Sequence, residues 1–158
     1  MTPTKDPAAQ RIRALSLFTA DHAVVENGKV YVNGAFWTRL NMAQFPAVHP
    51  SLAIVAAIEI PAREYLRDHA FVIELHDADG NVLPPRIEGQ FRIGAAPDLR
   101  VGDPTVMPLA GIVNNLMIER AGDYSFVLKV DGDEIARYTI RAVQAPLQIS
   151  VGGPTPEG

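Results

Sequence analysis

Residues 121–143 read Ala-Gly-Asp-Tyr-Ser-Phe-Val-Leu-Lys-Val, then Asp-Gly-Asp-Glu, then Ile-Ala-Arg-Tyr-Thr-Ile-Arg-Ala-Val. Tyr124, Phe126, Leu128 and Val130 alternate onto one face of a strand. Ala136, Tyr138, Ile140 and Ala142 match them from the strand that follows. The Asp131-Gly132 pair between them is what a tight hairpin turn with positive backbone angles requires. This hairpin decides the class: the chain is built from antiparallel strands, and the carboxylates at its tip are turn chemistry.

The same alternation runs through the rest of the chain. A first strand is expected from Ile12 to Thr19, an Asn27-Gly28 turn after it, and a second strand from Val30 to Leu40. In that second strand Val30, Val32, Phe36 and Leu40 share one face. Phe45-Pro-Ala-Val-His-Pro50 reads as a loop, because prolines do not fit a central ladder. Leu52 to Ile60 is apolar on both faces, with Leu52, Ile54, Ala56, Ile58 and Ile60 on one and Ala53, Val55 and Ala57 on the other. Such a strand is central and covered on both sides, or its outer face meets a partner. Pro61 to Asp68 is the one helical piece, about two turns with a proline start. Strands follow at Phe71–Leu75, Ile87–Ile93 and Ile112–Glu119. Gly94 to Gly111, with Pro97, Pro104 and Pro108, reads as a long loop of the kind that is often functional.

These signals predict an all-β protein: a single antiparallel β-sandwich of about eight strands, immunoglobulin-like or jelly-roll-like, with one short helix near 61–68. Gly122-Asp123-Tyr124 entering the penultimate strand is similar to the tyrosine corner of immunoglobulin-like sandwiches. Residues 1–10 are expected to be a flexible arm and 11–146 the sandwich domain. Residues 147–158 form an extension in which Leu147 to Val151 could add a short strand.

Composition narrows the function. The 158 residues are 47% hydrophobic, with 14 Lys and Arg against 18 Asp and Glu, for a net charge of -4. That balance weighs against nucleic acid, whose phosphates require a basic face. Local basic residues are Arg11, Arg13, Arg39 and Arg141. Cysteine is absent, which removes disulfides, thiolate metal sites and cysteine nucleophiles. The polar N-terminus is unlike a secretory signal, and no apolar run approaches ~20 residues. A cytoplasmic protein with no membrane insertion is the expectation.

Chemical motifs are few. Asp77, Asp79 and Asn81 lack the spacing and the bidentate glutamate of a calcium loop. His22, His49, His69 and His76 form no HExxH or i,i+4 pair. His76 with Asp77 and Asp79 is the one local group with metal-ligand residue types, and a strand end followed by a turn accounts for it. Ser16, Ser51, Ser125 and Ser150 lack the Gly-x-Ser-x-Gly elbow. There is no phosphate-binding glycine loop. Triads and carboxylate pairs assemble in space, so sequence alone does not locate them. No catalytic residue, metal site or cofactor is expected.

Binding is the better expectation. If Val30, Val32 and Phe36 face inward, then Tyr31, Trp37 and Arg39 lie together on an outer face, and these are the residue types of binding hot spots. A register slip at Gly34 would instead bury Trp37 as core. Val55 marks an apolar stripe that is either an interface or covered by another element. Leu99 and Arg100 in the long loop, and Leu147 and Ile149 in the C-terminal extension, complete the candidate surface. The leading expectation is a non-enzymatic, protein-binding or self-assembling module whose partner is another protein or a second copy. A small-ligand or carbohydrate-binding sandwich using the same aromatic face is the alternative, and an enzyme with a site at the loop ends is the third reading.

Residues 20–34, Ala-Asp-His-Ala-Val-Val-Glu-Asn-Gly-Lys-Val-Tyr-Val-Asn-Gly, resemble the start of an uncharacterised bacterial family of short single-domain proteins, grouped as a domain of unknown function. Phe45-Pro-Ala-Val-His-Pro50 and the closing Gly-Asp-Tyr-Ser-Phe with Asp-Gly are similar as well. The resemblance spans roughly residues 14–143. It implies a β-sandwich and brings no catalytic residue, cofactor or substrate.

Overall fold

The computed structural model describes residues 11–94 and 100–146. Nine strands form there: β1 Arg13–Glu26, β2 Lys29–Ala35, β3 Arg39–Met42, β4 Ala47–Ile60, β5 His69–His76, β6 Val82–Phe91, β7 Thr105–Ile118, β8 Gly122–Val130 and β9 Asp133–Gln144. They make a four-stranded sheet in the order β2-β1-β4-β7 and a five-stranded sheet in the order β3-β9-β8-β5-β6. The protein is all-β. The arm at 1–10 and the strand expected at Leu147–Val151 lie outside the described residues.

The opening hairpin forms as its alternation dictates. Phe126 stands opposite Tyr138 and Tyr124 opposite Ile140, and Asp131 and Gly132 take the positive φ values of 50° and 86° that the turn demands. Tyr124 is buried and donates its hydroxyl to the carbonyl of Arg120 at 2.8 Å, which fixes the corner leading into β8. The inward faces of β8, β9 and β5 meet Leu52, Ile54, Ala56, Ile58 and Ile60 of β4 in one large core between the sheets. Each fully buried leucine, isoleucine or phenylalanine there contributes on the order of 2 kcal/mol.

Four expectations are corrected. The helix at 61–68 is a single 3-10 turn, Ala62–Glu64. Tyr65 already leaves it in an extended conformation, and Leu66, at φ 62°, gives its N–H to Ile93 instead of to a helical carbonyl. Tertiary pairing outweighs the proline start. The last part of the expected long loop is strand: β7 begins at Thr105 and pairs with β4 through Pro108 opposite Ala57. Pro108 is tolerated because β7 is an edge strand. Pro50, likewise expected in a loop, sits within β4 where the register with β7 skips it between His49 and Ser51. Finally, the sheets are not wholly antiparallel, because β3 pairs parallel with β9.

That last difference follows from a break in the expected second strand. β2 ends at Ala35, and the chain then crosses from one sheet to the other to begin β3 at Arg39. The crossing is held at one atom. The carbonyl of Trp37 accepts the hydroxyl of Thr19 in β1 at 2.7 Å and the hydroxyl of Tyr138 in β9 at 3.0 Å. One neighbour belongs to each sheet. Thr38 continues the link by accepting the N–H of Arg141 at 2.8 Å.

The four-stranded sheet also curls into a half barrel. β1 pairs with β4 only from Arg13 to Ala20 and with β2 from there to Glu26. Past Ala20 the β1–β2 ribbon leans over the outer face, bringing β2 towards β7. Ala20, Ala23, Ala53 and Val55 are buried beneath it as a second small core, flanked by Phe18, Val30, Val32 and Ala110. Alanines suit this place because the layers approach too closely for longer side chains.

The two hydroxyls on Trp37 make a prediction. Thr19→Val and Tyr138→Phe should each cost about 1 kcal/mol in urea unfolding, because the carbonyl keeps one partner. The double variant should lose about 3 kcal/mol, since the carbonyl then has neither. Strict additivity would show that water replaces the missing donors.

Candidate functional site

The crossing segment shapes the surface. Gly34 has φ 63°, and a Cβ there would collide with the carboxylate of Asp21, so only glycine fits. Two residues on, Phe36 also has positive φ, 67°. For a bulky aromatic residue this is a strained backbone, and such outliers gather at functional positions. Phe36 donates its N–H to the Thr19 carbonyl at 2.9 Å, which holds the kink. The residue is 69% exposed, and its ring lies against Phe18, with centroids 4.3 Å apart.

Beside it, the β1–β2 ribbon projects with no third strand along Asp21–Glu26 among the described residues. Tyr31 stands opposite Val24 on its convex face. Tyr31 is 53% exposed, Val24 is also exposed, and Val25 is exposed on the other face. A two-stranded ribbon is marginal by itself, yet this one spends apolar side chains on solvent. Phe36, against Phe18 on the side of the small core, and Tyr31 with Val24, on the opposite face of the ribbon, are the candidate binding residues.

The expected constellation is only partly assembled. Tyr31 is exposed on the edge strand β2, as expected. Arg39 is exposed but lies in the other sheet, where its Nε donates to Asn41 at 3.1 Å. Trp37 turns inward and packs against the main core, its ring beside His49 at 5.9 Å between centroids. The positive φ at Gly34 and Phe36 reverses the face, so Phe36 takes the outer position assigned to Trp37. Val55 is 3% exposed, covered by the curl of its own sheet. Arg100 is exposed in the turn before β7. Leu99, Leu147 and Ile149 lie outside the described residues. Phe36 is the residue that the sequence reading missed, and the glycine before it was the available signal.

Two polar clusters have chemistry of their own. In a cleft of about 500 Å³, His69, only 6% exposed, donates through Nδ1 to Asp131 at 2.6 Å and through Nε2 to the Glu64 carbonyl at 3.3 Å. Asp131 also accepts the N–H of Ala70 at 2.9 Å. Both partners of the ring are acceptors, an arrangement that favours the protonated imidazole. Burial alone would lower its pKa, but the Asp131 bond and the Glu64 carbonyl outweigh it and raise it above the ordinary 6.5. The His69 bond in turn holds Asp131 below the ordinary 3.8. With Nε2 engaged, the ring ties the 3-10 turn to the β8–β9 turn.

On the outer face of the five-stranded sheet, a groove of about 580 Å³ runs over Glu74. Its carboxylate accepts His76 at 2.9 Å and lies 3.2 Å from both Lys129 and Arg86. The His76 and Lys129 bonds keep it ionised, below the usual glutamate range. Asp77 is a turn residue, accepting the N–H groups of Asp79 and Asn81 at 2.9 Å. His22 is exposed. Among the described residues no three His, Asp or Glu side chains are grouped to hold a metal ion. No helix there is long and apolar enough to cross a membrane.

The His69–Asp131 pair sets a pH dependence. The histidine pKa is raised on folding, so its contribution is complete below about 6.5 and fades as pH climbs through the higher folded value. The aspartate pKa is lowered, so its contribution is complete above about 3.8 and fades as pH falls through the lower folded value. Asp131→Asn keeps the turn, since asparagine tolerates positive φ. Its loss in melting temperature should be larger at pH 5.5 than at pH 9. An equal loss at both would mean that the pair is not ionic.

No curated protein matches the sequence. Among solved structures, the chain is similar to Pseudomonas fluorescens alkylpurine DNA glycosylase AlkC bound to DNA containing an abasic site analog. The identity is 6% and the TM-score 0.44, over 83% of this chain and 30% of that one. The chain thus spans less than a third of that protein, and a likeness so slight carries nothing about function. The sequence itself is more informative, because residues 15–143 match the family of unknown function DUF6941. That match takes in every described strand but the first residues of β1 and the last of β9, and the chain belongs to DUF6941.

Proposed function

We propose that the protein is a non-enzymatic binding module that docks another protein through the β1–β2 ribbon and the adjoining Phe36. The observation that carries this reading is Phe36 itself. A phenylalanine held at φ 67° and left 69% exposed costs stability twice, once in backbone strain and once in unburied apolar surface. Asparagine or glycine would serve the fold better there. On the other face of the ribbon Tyr31 and Val24 add an exposed aromatic and an exposed β-branched side chain, residue types that interfaces use.

The scaffold reading accompanies it. Two sheets enclosing one core, with Tyr124 bonded to the Arg120 carbonyl, support an immunoglobulin-like β-sandwich, an architecture that commonly presents contact residues on loops and edges. The ribbon is then an outgrowth of one edge. The engagement of both nitrogens of His69 by acceptors supports a non-enzymatic role for that cluster.

Phe36→Asn and Tyr31→Ser test the proposal. Affinity capture from native lysate with the wild-type chain should retain a protein that both variants lose at least tenfold. Phe36→Asn should melt no lower than wild type, because asparagine accepts the kinked backbone. An unchanged captured set, or a marked drop in melting temperature with Phe36→Asn, would show that the ring serves the fold.

A further inference from the structure

Ile73 and Leu75 of β5 point into the core, so Val72, Glu74 and His76 point outward from the five-stranded sheet. Glu74 is nevertheless only 7% exposed, and Val127, its neighbour in β8, is fully buried. A carboxylate in that place gives up hydration, which a threonine or valine, ordinary strand residues, would not. Donors from three strands surround it. Arg86 of β6 reaches Oε1 at 3.2 Å, while His76 of β5 and Lys129 of β8 reach Oε2 at 2.9 Å and 3.2 Å. Arg86 also gives its Nε to Glu88 at 2.9 Å, and Glu88 is exposed. Beside this cluster opens the groove of about 580 Å³, lined by Arg86, Lys129 and Glu88 and by the small side chains of Ala70 and Val72.

We infer that this groove binds a small organic anion, whose carboxylate or phosphate oxygens are held by Arg86 and Lys129 and whose body lies over Ala70 and Val72. The hydrogen-bond count decides the sign of the ligand. Both oxygens of Glu74 are taken by its three neighbours, so it has little to offer a cation. A guanidinium and an ammonium carry more N–H donors than these contacts use, and acceptor oxygens are what such donors lack. Glu74 is the positioning residue. It draws one cation from each strand flanking β5 to a common place, which their mutual repulsion would otherwise oppose. Glu88 is the competitor: it shares Arg86, and an anion that takes the guanidinium displaces it. The groove has the volume of a small-molecule site, with room beyond the charged end for an organic body. It lies in the other sheet from the β1–β2 ribbon and does not rest on the ribbon reading.

Nuclear magnetic resonance of the backbone amides in the full chain tests this, with phenyl phosphate and benzoate as probes and benzyl alcohol as the uncharged control. At least one anion should move the signals of Val72, Lys129 and Gly132, which line the groove, to saturation at millimolar concentration. Which anion does so identifies the oxyanion, and benzyl alcohol should leave the signals in place. Arg86→Met should weaken binding about tenfold, since it removes charge-assisted bonds to the anion. Glu88→Gln should tighten it severalfold by releasing the Nε of Arg86. That variant separates a binding site from a purely structural ion-pair network, and its exposed position leaves the fold intact. No saturable shift with either anion, equal shifts with benzyl alcohol, or no tightening in Glu88→Gln would overturn the inference. Phe36→Asn should bind the anion as the wild type does, so failure of the ribbon reading and failure of this one are told apart.

Discussion

The structure turns on one carbonyl oxygen. Trp37 sits where the chain leaves the four-stranded sheet for the five-stranded one, and its carbonyl takes a hydroxyl from each. A segment crossing between sheets cannot join either ladder, so its polar backbone must find partners elsewhere. Thr19 and Tyr138 supply them from fully and partly buried positions. Both can do so only if β1 and β9 stand at a fixed separation and angle. The sheets' relative placement and the path of the crossing are therefore one constraint.

From that constraint the surface follows. For Trp37 to present its carbonyl to both sheets and its ring to the core, the chain must reverse its facing direction within three residues. Gly34 and Phe36 do this with positive φ. Glycine does so freely, while phenylalanine does so at a cost. The reversal throws the Phe36 ring outward onto Phe18 and frees β2 to lean over the alanine floor with β1. The buried Val55 and the exposed Phe36 are thus two results of the same kink. One sheet covers its own apolar stripe, and an aromatic residue is left over.

How much of this was legible depends on how local each cause is. The β8–β9 hairpin, the Asn27-Gly28 turn and the Tyr124 corner are written in adjacent residues, and each stands where the alternation put it. The crossing is not local. Nothing within Val30–Leu40 says that Thr19 and Tyr138 wait on either side, so the run reads as a single strand with Phe36 inward and Trp37 outward, and only a slip at Gly34 offers the alternative of a buried Trp37. Proline misled in the same way, because Pro108 excludes a central strand but not an edge, and edge status is a property of the whole sheet. The helix expected at 61–68 had a good start signal but was overruled by the Leu66 bond to Ile93. His69 and Asp131 are 62 residues apart. The turn reading of Asp131 was sound, and it hid a second role for the same carboxylate.

The residues that sequence misplaced and those that the fold does not need overlap at Phe36, and this overlap is informative. A core position is explained by the core, and a turn residue by its turn. Phe36 is explained by neither: its N–H bond to Thr19 is made by backbone, and any residue could make it. Gly34, two residues earlier, has a similar φ and also lacks room for a Cβ beside Asp21. At Phe36 the geometry is similar and the residue is the least suited to it. The proposed binding role rests on that mismatch between a bulky side chain and a left-handed backbone.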